Sequence, residues 1–146
     1  MAHEDAGHYA AKHPAGTASD PAVAAALTER AKDERITCAA AMEVAVGLGV
    51  APAVVGTTLD LLEYRITRCQ LGLFGYPGHA KGWEAAETPA PEGLVEALLA
   101  ARAAHGEISC AALWHEAQRF SVPRLQAGRL ADRLGIKIHD CHLGAF

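Results

Sequence analysis

Aromatic residues are scarce, at 5% of 146 positions, although 51% of the chain is hydrophobic and alanine is abundant. Small aliphatic side chains must therefore fill the interior, a composition that suits closely packed helices more than sheets. The chain also lacks an apolar run of the ~18 residues that a membrane span needs. The best candidate, VAVGLGVAPAVVGTTL over residues 44–59, is broken by Pro52 and three glycines. A basic n-region and an apolar h-region are both missing from the first twenty residues, so no secretory signal is read and a cytoplasmic location away from membranes is expected. In that compartment the four cysteines are thiols or metal ligands more often than disulfides. Also absent are a Gly-rich phosphate loop, a G-x-S-x-G elbow, an H-E-x-x-H helix and carboxylates paired at a working spacing. The chain is therefore read as a non-enzyme.

What is present is a duplication. RCQLGLF at Arg68 to Phe74 returns as DCHLGAF at Asp140 to Phe146, an offset of 72. The same offset aligns residues 23–74 with 95–146 without a gap and makes 19 of 52 positions identical. Among the identical pairs are Leu27 and Leu99, Ile36 and Ile108, Cys38 and Cys110, Ala45 and Ala117, Gly56 and Gly128, Asp60 and Asp132, Ile66 and Ile138. Such a period is longer than the common solenoid units, so each copy is expected to be a small domain of its own.

Within each copy the pattern predicts a helix, a short strand, two further helices and a second strand. Asp20 and Pro21 mark an N-terminus for a helix running to about Glu34, with Val23, Ala26, Leu27 and Ala31 on one face. Thr37 and Ser109 are N-cap candidates for the second helix. Pro52 and Pro123 stand at the start of the third, and YRITRCQL and IKIHDCHL alternate as strands. Residues 1–20 read as a disordered tail in which His3, His8 and His13 are solvated. Residues 21–74 read as the first domain, 75–92 as a linker that Trp83 anchors, and 93–146 as the second domain.

The stretch Glu43 to Leu62 resembles the helix-turn-helix of bacterial transcription regulators, with Ala45 as the small residue that faces the turn at Gly49. Val50, Val55, Leu59 and Leu62 take the core positions. A small side chain lets two helices cross closely, and glycine permits the left-handed turn between them. The resemblance implies a mainly α fold with short β strands, in two tandem winged-helix-like domains. The wing of the second is truncated, because the chain stops where a return strand would follow. The strand after the third helix is expected to pair with the short piece before the second, or with its counterpart in the other copy.

That resemblance places the exposed face of the third helix in a DNA major groove. In the second copy this face carries Gln126, Arg129 and Arg133, with Arg124 near the helix start, and these four are the candidate DNA-binding residues. In the first copy its positions hold Val54, Thr57 and Leu61, which cannot read bases and are expected to be a covered partner interface. A net charge of −4 argues against nucleic acid as a partner of the whole chain, yet the second copy has more basic than acidic residues. Cys38, Cys69, Cys110 and Cys141 are repeat-equivalent. They read as buried small hydrophobes, as a thiol switch, or as four thiolates brought together for Zn²⁺ or an iron–sulfur cluster. No C-x-x-C spacing supports the metal. Two functions remain open at this stage. One is a DNA-binding transcription regulator acting as a homodimer. The other is a protein interaction module, or an accessory subunit of a larger metallo- or redox complex.

Overall fold

The computed structural model describes residues 7–72, 90–103 and 106–145. Among these the protein is mainly helical, with four three-residue strands. The first copy contributes α1 (Pro21–Arg30), β1 (Arg35–Thr37), α2 (Cys38–Leu48), α3 (Pro52–Leu61) and β2 (Arg65–Thr67). The second contributes α4 (Leu94–Ala101), β3 (Glu107–Ser109), α5 (Cys110–Arg119), α6 (Arg124–Arg133) and β4 (Lys137–His139).

The helix starts form where the caps predict. Asp20 accepts from the Ala22 and Val23 amides, Thr37 Oγ1 from Ala40, and Ser109 Oγ from Ala112, satisfying donors that the first helical turn leaves unpaired. The first helix stops at Arg30 and not near Glu34, because Asp33 and Glu34 take left-handed φ values of 52° and 60° and turn the chain into β1. β1 pairs with β2 and β3 with β4, both parallel, placing Ile36 opposite Ile66 and Ile108 opposite Ile138. This is the first of the two pairings expected. Among the described residues there is no wing hairpin, since the strand that could have opened one is used in the parallel pair.

Helices α2 and α3 meet at an angle of 120°. The turn between them is a Schellman closure, in which the Gly49 amide donates to Val46 and the Val50 amide to Ala45, with Gly49 at φ 66°. In the second copy Ser121 holds the equivalent position at φ 54° and the same two bonds run from Ser121 to Gln118 and from Val122 to Ala117. A side chain in that region costs ~1 kcal/mol. Ser121→Gly is therefore expected to stabilise the protein by ~0.5–1 kcal/mol, read as a higher urea midpoint at unchanged slope. Taken alone, no helix among the described residues is long and apolar enough to cross a membrane; α2 and α3 reach that hydropathy only as a bent pair. Ala41, Val44 and Ala45 of α2 and Val55 and Leu59 of α3 are buried core residues.

Two compact units result, and their boundaries correct those read from the sequence. Unit 1 holds described residues 7–67 together with 142–145, and unit 2 holds the described residues of 68–141. The segment following each strand thus belongs to the unit built by the other copy. In unit 1 the backbone of Leu143 lies against Gly56, in the middle of α3, where the space for a Cβ is already filled by the Leu143 carbonyl. In unit 2 the Leu71 carbonyl fills the same space at Gly128 of α6. Leu143 and Leu71 are 2% and 1% exposed. Mid-helix glycine costs a helix ~1 kcal/mol relative to alanine, so its presence in both copies is explained by these two close backbone approaches.

A second correction concerns the N-terminus. Within the stretch expected to be disordered, Tyr9–Lys12 forms a 3-10 helix packed on α3, with Tyr9 only 3% exposed. The Glu63 carboxylate accepts from the Tyr9 amide at 2.9 Å and the Ala10 amide at 2.7 Å. Asp60, 3% exposed, takes Lys12 Nζ at 3.1 Å and His13 Nε2 at 2.8 Å. His13 is therefore a bonded residue and not a solvated one. Residues 75–89 of the expected linker and its anchor Trp83, together with Phe74 and Phe146, lie outside the described residues.

Candidate functional site

In unit 2 the buried side of α6 is Ala127, Gly128, Leu130 and Ala131. Arg133 is exposed on the opposite side, with Gln126 and Arg129 half-buried on that side, and Arg124 is exposed at the start of the helix. The four predicted DNA-contacting residues therefore share one helix, three of them on one face. Arg124 is held in place: its guanidinium lies 3.9 Å above the Trp114 ring, and its Nη1 donates to Gln70 Oε1 at 2.7 Å. Arg129 and Arg133 also interact with neighbouring groups. A cation over an indole face is fixed in direction while its charge is retained.

The equivalent helix of unit 1 is divided along its length. Its C-terminal end is covered by the 3-10 helix through Asp60, and Glu63 just beyond α3 holds the start of that helix. Its N-terminal end stays open, with Val54 at 40% exposure and Thr57 half-buried, and Leu61, at the other end of the helix, is half-buried as well. A hollow of 290 Å³ lies there, lined by Ala18, Asp20, Ala53, Val54, Thr57 and Thr58. The expected interface residues are thus placed on one helix.

The larger apolar exposure lies at the α2–α3 turn, which the sequence reading missed. Val46 is 80% exposed and Leu48 44%, beside the exposed Gly47, Gly49, Ala51 and Ala53. The signal was present in the sequence, because residues 44–59 carry no charge and the turn of such a helix pair must lie at the surface. At the equivalent places unit 2 carries Gln118, Arg119, Phe120, Ser121, Pro123 and Leu125.

All four cysteines are free thiols, Cys38 and Cys110 buried at helix starts and Cys69 and Cys141 half-buried. Cys38 belongs to unit 1 and the other three to unit 2. Among the described residues no three His, Cys, Asp or Glu side chains form a group able to hold a metal ion. Comparison with protein families, curated proteins and solved structures finds no match for the chain.

Proposed function

We propose that the protein is a DNA-binding regulator of tandem winged-helix-like type, reading DNA with α6 of unit 2. The observation that carries this is the divergence of one surface between two copies. Val46, Pro52, Val54, Thr57 and Leu61 of the first stand where the second has Gln118, Arg124, Gln126, Arg129 and Arg133. A basic, polar third helix suits phosphates and base edges, and its apolar twin does not. One reading helix per chain implies a homodimer on paired half-sites. The test is a mobility shift on duplex DNA over a series of salt concentrations. The expected wild-type complex is salt-sensitive, and the Arg129→Ala, Arg133→Ala double variant lowers the salt slope by about 2 with binding lost at lower salt. A wild-type chain that shows no complex in low salt, or a double variant that binds as the wild type does, overturns the proposal.

The exposed Val46 and Leu48 favour a second reading, a protein interaction module or accessory subunit that docks on a larger partner through the first copy. It predicts a partner held independently of salt and released by Val46→Lys with Leu48→Lys, as measured by co-purification from the native host.

A further inference from the structure

Each tail docks on a helix of the copy that it does not follow, and the two docking events share their chemistry. Arg68 and Asp140, at φ 49° and 55°, turn the chain out of β2 and β4. Next come Leu71 or Leu143, fully buried, with the leucine carbonyl seated on the helix glycine, and then Gly72 or Gly144 at φ 80° or 73°. In unit 1 the seat is edged by Lys12, whose Nζ donates to the Gly144 carbonyl at 3.3 Å. Neither socket is filled by the segment that continues its own last strand. Occupation is therefore decided by the Leu-Gly segment itself and not by chain continuity with the strand beside it.

From this we infer that the Gly56 socket is a peptide-acceptor site for the His142–Ala145 segment of any copy of this chain, so that two chains pair by exchanging it. A second chain offers the identical leucine, carbonyl and glycine turn, so no new contact is required. What the chain's own tail has in its favour is effective concentration, of order 1 mM for a short connection. The exchanged pair consequently grows in as the protein concentration approaches that value. The inference is independent of DNA binding and supplies one route to the dimer proposed above.

The test is complementation between two full-length chains without DNA. Gly56→Val closes the acceptor but keeps the donor tail, and Leu143→Asp spoils the donor but keeps the acceptor. Co-refolded in equal amounts, they are expected to give a 1:1 heterodimer by native mass spectrometry. Amide protection of α3 should return in the Leu143→Asp chain, which alone lacks it. A second measurement relies only on the wild type, which when refolded at about 1 mM should yield a dimer that persists on dilution, while Leu143→Asp yields none. The inference is overturned by a wild type that stays monomeric at every concentration together with a mixture that behaves as its two parts. Restoration of protection by free peptide 140–146 without any pairing of chains overturns the exchange equally.

Discussion

Gly56→Ala is expected to destabilise unit 1 by ~2–4 kcal/mol, although alanine is the better helix former by ~1 kcal/mol. The added methyl would occupy the place of the Leu143 carbonyl, with the Leu143 carbonyl carbon 2.6 Å away. Both parties are backbone, so no rotamer change relieves the overlap. Either α3 shifts in a close-packed core or the tail leaves and exposes Leu143, and each route costs more than the helix gains. Gly128→Ala should do the same to unit 2, where the Leu71 carbonyl carbon lies 2.7 Å from the added atom. Gly47→Ala is the control of opposite sign. Gly47 is exposed in α2 with nothing within 4 Å of an added Cβ, so a gain of ~0.5–1 kcal/mol is expected there. Hydrogen exchange resolved by unit separates the three results, since each substitution should move its own unit.

Asp60→Ala carries the second large effect, a loss of ~2–3 kcal/mol together with release of the 3-10 helix. The carboxylate is 5% exposed, and the Lys12 and His13 side chains that bind it are 24% and 22% exposed. Breaking a buried pair costs ~3–5 kcal/mol when the remaining charge stays buried. Here both side chains reach water once freed, so the lower figure applies. Faster amide exchange at Tyr9 and Ala10, and cleavage by protease near Lys12, should accompany the change. Glu63 offers a sharper version of the same test. It sits at φ 58° where the second copy has Gly135 at φ 71°, so Glu63→Gly relieves ~1 kcal/mol of backbone strain. It also removes an anion that accepts two amides, each such bond contributing ~1.5 kcal/mol or more. Net destabilisation is expected, whereas the corresponding relief at Ser121 stabilises.

The elements of each copy were legible because they depend on neighbours in sequence. Asp20, Thr37 and Ser109 cap the amides two or three residues on, and Tyr64 with Ile66 and Ile136 with Ile138 announced the strands after the third helices through local alternation. Gln126, Arg129 and Arg133 fell on one helix face for the same reason, since helical spacing decides which side chains share a face. The misreadings at the N-terminus and at the two tails concern distant partners. Residues 9–13 show no periodicity of their own and are ordered by two carboxylates about fifty residues away. The pairing of Leu71 with Gly128 and Leu143 with Gly56 could not be read either. Identical leucines and identical glycines leave the assignment of tail to socket undetermined. Only the Glu63 and Gly135 difference held a local clue, a bulky acid where its twin uses glycine.

The exchanged tails also bear on how these two copies could change through time. Gly56 in the first copy is answerable to Leu143 in the second, and Gly128 to Leu71, so neither copy can drift alone at these places. A gene fragment ending between the copies would encode a tail without its socket and a socket without its tail. A substitution in one half of this chain is thereby felt in the other.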